Sequence, residues 1–270
     1  MIDAPSQINP RAVLAVLWAT VFFVGLNPAL AQQPAGTQIA PKGELRVAFQ
    51  SSNPTLATRS AEGQYSGVAV DLANALGKKL GLPVKLVPYE NTVRYNQSIG
   101  KDEWDIAFSP RDLSRVAQLA FSNPFMEIDN SYVVRPGATA RTPEEVDRPG
   151  IKIAVAQGSI ADGYLTRTIK SATIVRLFGG MVTAREALTS GRADAYADYT
   201  HVAYRIAAEV PGATVLVSHF NVVQITIAML KGNAAALPVI NDFLKEASRD
   251  GVVAEAIKRA GVAGARARRG

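Results

Sequence analysis

Residues 67–81 read GVAVDLANALGKKLG, which is the pattern of a helix between two strands. Its apolar residues recur at the spacing of one helix face, and a glycine stands at each end, where a helix begins and stops. Apolar residues alternate over 44–49 before it, and the segments 84–87 and 104–108 after it have the apolar character of strands. Because parallel strands need crossover helices, this order predicts a mainly parallel sheet flanked by helices. Ligands gather at the carboxyl ends of such strands.

The same order of elements begins again in the second half of the chain. The predicted elements are a strand over 151–156, a helix over 160–169, a strand over 172–177, a helix over 183–190, a strand over 193–196, a long strand over 222–230 and two helices over 237–248 and 252–260. Two similar α/β units joined by two extended strands predict two lobes with a cleft between them. The strands at 132–134 and 224–227 are the predicted hinge.

Composition excludes several classes of function. The chain has 29 Lys+Arg, 23 Asp+Glu, two His and no Cys. Without cysteine there is no disulfide, no thiolate nucleophile and no Cys-ligated metal. His201 and His219 are too few for a His-built metal centre, so we expect no metal and no cofactor. The net charge of +6 is spread out except in a basic tail over 263–270, which predicts no nucleic-acid partner.

The first residues predict export. An apolar run over 12–26 follows Arg11 and precedes the small-residue triplet Ala29-Leu30-Ala31. The run is shorter than the roughly 20 residues that a bilayer span needs. It therefore predicts a signal peptide over 1–31, cleaved after Ala31, and a periplasmic protein that begins with a flexible tail over 32–42. An uncleaved membrane anchor is the alternative.

Several stretches resemble the family-3 periplasmic solute-binding proteins, the amino-acid-binding components of ATP-driven importers. They are GELRV (43–47), GVAVDLA (67–73), WDIAF (104–108), Arg115 with FSNPF (121–125), the turn Gly158-Ser159 and LTSGRADA (188–195). The resemblance implies the two-lobed periplasmic-binding-protein fold, with lobe 1 over 43–133 plus 225–262 and lobe 2 over 134–224. It implies a monomer without enzyme activity that passes an amino acid or similar small carboxylate to an ABC permease in the inner membrane.

The resemblance also implies the ligand contacts. Arg115 stands where the family places the arginine that binds the ligand carboxylate, for which a planar guanidinium is suited; a solvated helix arginine is the alternative. Gly158 and Ser159 would offer backbone N–H groups to the same carboxylate at a helix start, or Ser159 would be an ordinary N-cap. Asp198 would bind the ammonium group, or cap the following helix.

The segment 109–115 departs from the family pattern. It is shorter than in amino-acid binders, and Asp112 stands in place of a ligand-contacting threonine. Asp112 is predicted either to contact the ligand or to cap the helix that carries Arg115. Ser109 is a further predicted contact. Phe108 is predicted as an aromatic contact for the ligand, with the protein core as its alternative.

Two other functions stay open at the level of sequence. A periplasmic enzyme on the same scaffold, such as a cyclohexadienyl dehydratase, would need a general acid near a leaving hydroxyl, and Asp112 or Asp198 could serve. A sensor module without a transporter would have the same sequence features as an import receptor.

Overall fold

The computed structural model describes residue 1 and residues 35–51, 53–112 and 115–268. The strands are β1 (Leu45–Gln50), β2 (Thr58–Arg59), β3 (Tyr65–Ser66), β4 (Val84–Tyr89), β5 (Ile106–Pro110), β6 (Leu119–Phe121), β7 (Met126–Val134), β8 (Lys152–Ala156), β9 (Thr173–Leu177), β10 (Ala195–Tyr199), β11 (Thr214–Val215), β12 (Asn221–Leu230) and β13 (Ala265–Ala267). The helices are α1 (Ala35–Ile39), α2 (Val68–Leu80), α3 (Thr92–Ser98), α4 (Pro143–Val146), α5 (Ile160–Thr168), α6 (Gly180–Thr189), α7 (Thr200–Glu209), a 3-10 helix (Lys231–Ala236), α8 (Leu237–Arg249) and α9 (Val252–Ala260).

The sequence stretch that predicted the signal peptide lies outside the described residues, apart from Met1. Within the described part of the chain, none of the helices has the length and apolar character that a bilayer span requires.

One hydrogen-bonded sheet runs through the protein in the order β4-β1-β5-β12-β7-β10-β8-β9. β1 pairs in parallel with β4 and β5, and β8 pairs in parallel with β9 and β10. Between these groups, the long strands β12 and β7 run antiparallel to each other and to their outer neighbours. This is the arrangement that the sequence predicts, with two parallel units joined by two extended strands.

Each parallel group has two apolar cores of its own, and the larger one of the first group, which contains Leu45, Leu72 and Phe243, is the first core. By the apolar clusters that they share, we call β1, β4 and β5 with α2, α3, α8 and α9 the first lobe, and β8, β9 and β10 with α5, α6 and α7 the second lobe. β7 contributes Met126 and Ile128 to the first core, and Tyr132 and Val133 to the two separate cores of the second lobe. The side chains of β7 therefore change from one group to the other between Ile128 and Tyr132, and the hinge at 132–134 stays a prediction.

The second connecting strand, β12, contributes mostly to the first core. Val223, Ile225 and Ile227 of β12 already belong to the first core. Ile225 and Ile227, within the predicted hinge at 224–227, are thus buried in that core. An apolar run in the sequence indicates a strand but does not say which of two cores its side chains enter.

The two predicted tails are partly folded. Ile39 and Ala40, in the tail predicted over 32–42, are 2% and 1% exposed and belong to the first core. In the tail predicted over 263–270, β13 pairs with β7, and Arg266 forms ion pairs with Glu127 and Asp129. Both segments are held by partners distant in sequence, which composition alone does not reveal.

Gly67 fixes the start of α2 against a neighbouring loop. Its φ of 129° and ψ of −177° lie in a region that essentially only glycine adopts. A Cβ atom there would lie 2.8 Å from the Leu56 carbonyl oxygen and 3.0 Å from Ala57 Cα. The Leu56 carbonyl also accepts a hydrogen bond of 2.9 Å from the backbone N–H of Ala69.

We expect Gly67→Ala to lower the free energy of unfolding by about 2 kcal/mol or more, because backbone strain and a backbone clash add together. Gly81→Ala is the control, since Gly81 has a φ of 68° but nothing within 4 Å of a Cβ atom. That control should cost about 1 kcal/mol. Urea unfolding of both variants measures the difference, and equal losses would contradict the close-approach explanation.

Candidate functional site

Two adjoining cavities lie between the lobes. The first cavity has a volume of about 560 Å³ and is lined by the last residues of four strands, namely Gln50, Pro110, Ala156 and Tyr199. The second cavity, of about 840 Å³, shares Gly158, Ser159 and Ile160 with the first and extends along β12. The carboxyl ends of the parallel strands thus meet at the cleft, as the strand order predicts.

The structure brings most of the predicted contacts together. Arg115, Gly158, Ser159 and Asp198 line the first cavity. Asp112 lines the second cavity, with Gly158 and Ser159.

Two predicted contacts, Ser109 and Phe108, line neither cavity. Phe108 is 2% exposed and packs edge-on against Phe125, with ring centroids 5.8 Å apart. The structure therefore corrects the prediction for Phe108: its apolar ring completes the first core, which was the alternative. Ser109 is buried and reaches Arg115 rather than the cavities.

Arg115 is held in place by three neighbours. Its Nη1 donates to Ser109 Oγ at 3.4 Å, and its Nε lies 3.4 Å from Asp112 Oδ2. The guanidinium carbon lies 5.3 Å from the centre of the Tyr95 ring, which is a cation–π distance. A guanidinium has five N–H donors, and both polar contacts are long. The group is therefore oriented by Tyr95, Ser109 and Asp112 while it keeps donors for a ligand carboxylate.

The turn at Gly158-Ser159 already holds an anion of the protein itself. Gly158 N–H donates to Asp162 Oδ2 at 2.9 Å, and Ser159 Oγ accepts from the Asp162 N–H at 3.0 Å as the N-cap of α5. Asp162 is in turn paired with Arg176 at 2.9 Å. Ser159 is thus the N-cap of α5, which was the alternative prediction. Its hydroxyl group can still donate a hydrogen bond to a ligand. The Ser-x-x-Asp spacing of a capping box was the sequence signal for Asp162.

Asp198 is a carboxylate in the first cavity without an ion pair to any described residue. Its Oδ1 accepts from the Tyr199 N–H at 2.7 Å, and its Oδ2 accepts from the Tyr196 hydroxyl at 2.9 Å. Burial raises the pKa of Asp198 to about 6, although both hydrogen bonds act to lower it. A buried carboxylate with a raised pKa gains most from a cation placed beside it. An ammonium group of a ligand is such a cation.

One contact between the lobes was not predicted. His201, at the start of α7 in the second lobe, has its Nε2 3.2 Å from Oγ1 of Thr55, which lies in the loop after β1 in the first lobe. Both residues are buried, and His201 Nδ1 has no hydrogen-bond partner among the described residues. Burial, and then the charge of Arg205, lower the pKa of His201 from 6.5 to about 4. Protonation would place an unpaired charge in this contact.

We therefore expect stability to fall as the pH falls from 6.5 towards 4, because the unfolded chain then binds a proton at His201 that the folded protein excludes. Integrated over that window, the loss is about 3 kcal/mol. Asp198 acts in the opposite direction below pH 6, so wild type must be compared with His201→Gln at each pH. Urea unfolding at pH 5.0 and 7.5 measures the effect. An identical pH dependence in both proteins would contradict it.

Comparison with known proteins identifies the family. The model of the bacterial extracellular solute-binding proteins, family 3, matches residues 45–261, and the chain belongs to that family.

Three relatives illustrate the range of function in it. Cyclohexadienyl dehydratase of Pseudomonas aeruginosa is 30% identical over 170 residues, which are 61% of this chain and 62% of the enzyme, so the match spans less than two thirds of either. The L-cystine-binding protein TcyJ of Escherichia coli is 22% identical over 92% of this chain and 94% of its own length. The crystal structure of the ancestral amino acid-binding protein AncCDT-1, a precursor of cyclohexadienyl dehydratase, is 26% identical and superimposes with a TM-score of 0.68 over 82% of this chain and 97% of its own. The predicted two-lobed fold class is confirmed by such neighbours.

Proposed function

We propose that this chain is the receptor of an ATP-driven importer and that it binds an amino acid, or a similar small carboxylate, in the first cavity. The observation that carries the proposal is that Arg115 of the first lobe and Asp198 of the second lobe line the same cavity. An amino acid has a carboxylate and an ammonium group, and burial of both requires a counter-charge for each. Ser159 would add a hydroxyl donor from the second lobe.

The two lobes would close over the ligand by bending of β7 and β12. In this motion residues 43–133 plus 225–262 would move as one lobe and residues 134–224 as the other. Support comes from the separate cores and from the contact between Thr55 and His201, which joins the lobes directly. Solution scattering should show a smaller radius of gyration with ligand than without it.

The same proposal includes the location and the partner. The signal peptide would direct the protein to the periplasm, where it would act as a monomer that delivers its ligand to an ABC permease in the inner membrane. Support comes from the extracellular family to which the chain belongs and from the apolar run over 12–26.

Titration of the protein with a panel of amino acids tests the binding function. A ligand at a hundred times its Kd stabilises the folded state by about 2.7 kcal/mol, which thermal unfolding detects readily. Stabilisation by at least one amino acid supports a receptor. No response to any amino acid or small carboxylate would contradict it.

A second candidate is a dehydratase, favoured by two specific observations. One relative at 30% identity is a cyclohexadienyl dehydratase. In addition, burial raises the pKa of Asp198 to about 6, and a carboxyl that donates a proton to a leaving hydroxyl needs a pKa raised towards the working pH. Incubation with arogenate and prephenate separates the candidates. Turnover by wild type that disappears in Asp198→Asn would favour the enzyme, and absence of turnover favours the receptor without enzyme activity.

A further inference from the structure

The second cavity carries two arginines, Arg111 and Arg167, that have no acidic partner within 4 Å among the described residues. The acidic side chains of its lining are paired with other arginines. Asp112 lies 3.4 Å from Arg115, and Asp162 lies 2.9 Å from Arg176. Arg111 and Arg167 are exposed, so their guanidinium groups are available to an anion that enters the cavity.

These two charges come from opposite lobes. Arg111 follows β5 in the first lobe, and its backbone N–H donates to the Gln224 carbonyl of β12 at 2.9 Å. Arg167 is in the last turn of α5 in the second lobe. Its Nη1 would lie 3.5 Å from a Cβ atom at Gly163, another residue of the cavity wall, so the guanidinium lies back along α5. A single anion in this cavity can thus be attracted by both lobes.

Because the two cavities adjoin, one elongated ligand can occupy both. They share Gly158, Ser159 and Ile160, at the turn opposite Arg115. A ligand whose amino-acid end lies between Arg115 and Asp198 can pass Ser159 and continue into the larger cavity. Ile160, Tyr164 and Val223 supply apolar wall along that path, which suits a methylene chain.

We propose that the second cavity binds a distal acidic group of the ligand, so that α-amino acids with a second carboxylate are preferred. This inference rests on the proposed function, which places the amino-acid end in the first cavity. The two arginines would bind the distal carboxylate, and closure of the lobes would bring both charges to it.

Matched pairs of acid and amide test the inference by calorimetry. The probes are glutamate with glutamine, and 2-aminopimelate with its distal monoamide, which extend to different lengths. In wild type we expect at least one acid to bind about tenfold or more tightly than its amide, because hydrogen bonds to charged groups are the stronger ones. Arg111→Gln and Arg167→Gln should each weaken binding of that acid about tenfold and leave the amide unchanged. Arg192→Gln, an exposed arginine outside both cavities, is the control and should change neither.

The possible results distinguish a failure of this inference from a failure of the proposed receptor function. If amides or other neutral amino acids bind as tightly as both acids, or if the two arginine variants bind acids like wild type, the inference is overturned while the receptor function stands. If no amino acid of any kind binds, both are overturned. Stabilisation by inorganic phosphate alone, lost in the same variants, would mean that the cavity holds a free anion rather than the end of an amino acid, and it also overturns the inference.

Discussion

Arg115→Ala weakens amino-acid binding by about a hundredfold or more, because a carboxylate then enters the cleft without a partner, and loss of one member of a buried charge pair costs 2–5 kcal/mol. Arg115→Lys should recover only part of the affinity. Lysine keeps the charge but lacks the planar fork that donates two parallel hydrogen bonds, and its ammonium cannot reproduce the packing over Tyr95. Calorimetric titration of both variants with the amino acid that binds wild type measures the effect.

Arg46→Ala is the matched control for this experiment. Arg46 is also a buried arginine, with its Nη2 2.6 Å from Asp105 Oδ1, but it lines neither cavity. Its loss should lower the melting temperature and leave the affinity of the folded protein unchanged. If Arg115→Ala binds the amino acid as tightly as wild type does, the site is not where the proposal places it.

Asp198→Asn should make the empty protein more stable and the binding weaker. The pKa of Asp198 is raised from 3.8 to about 6, so the folded state favours the protonated carboxyl. Stability therefore falls as the pH rises from 3.8 to 6, and the full cost, up to about 3 kcal/mol, is present at pH 7.5. Asparagine removes that cost and keeps an oxygen that accepts from the Tyr199 N–H. It cannot neutralise an ammonium group, and affinity should fall by about a hundredfold.

Thermal unfolding at pH 7.5 and pH 4 checks the stability half of this prediction. At pH 7.5 the variant should melt at a higher temperature than wild type, and the difference should shrink at pH 4, where Asp198 is protonated in the folded protein. The N-cap of α7 is Tyr199, so the structure does not support the helix-cap alternative for Asp198. A variant that is less stable at pH 7.5 would contradict the cost of burying the charged carboxylate, and a variant that binds with wild-type affinity would show that Asp198 is not the ammonium partner.

The local sequence predicts several elements, although the helix α7 and most of β7 were not predicted. α2 begins and ends at the glycines that bound the pattern of residues 67–81, and α9 has the bounds predicted for it. The position of Arg115 beside a cleft also follows from the order of the strands, since β5 ends a few residues before it. Periodicity is a property of short segments, and the order of the elements along the chain follows from it, so one sequence is enough to predict both.

The contacts across the cleft could not be read from the sequence. Thr55 and His201 are 146 positions apart, and nothing near either residue in the chain marks the other. The capping-box spacing could have predicted a hydrogen bond from the Asp162 carboxylate to the preceding turn. That the carboxylate accepts from Gly158 N–H, and so occupies a donor predicted for the ligand, follows only from the three-dimensional structure. Nothing in the sequence around Arg111 or Arg167 indicates that both residues line the same cavity.

The most direct measurement is calorimetric titration of wild type with three forms of one amino acid: the amino acid itself, its carboxamide, and the acid without the α-amino group. We expect the amino acid to bind with one ligand per chain and each of the two analogues to bind about a hundredfold more weakly, because the carboxamide leaves Arg115 without its partner and the acid without the α-amino group leaves Asp198 without its partner. Equal binding of all three forms, or binding of none across the full set of amino acids, would contradict it.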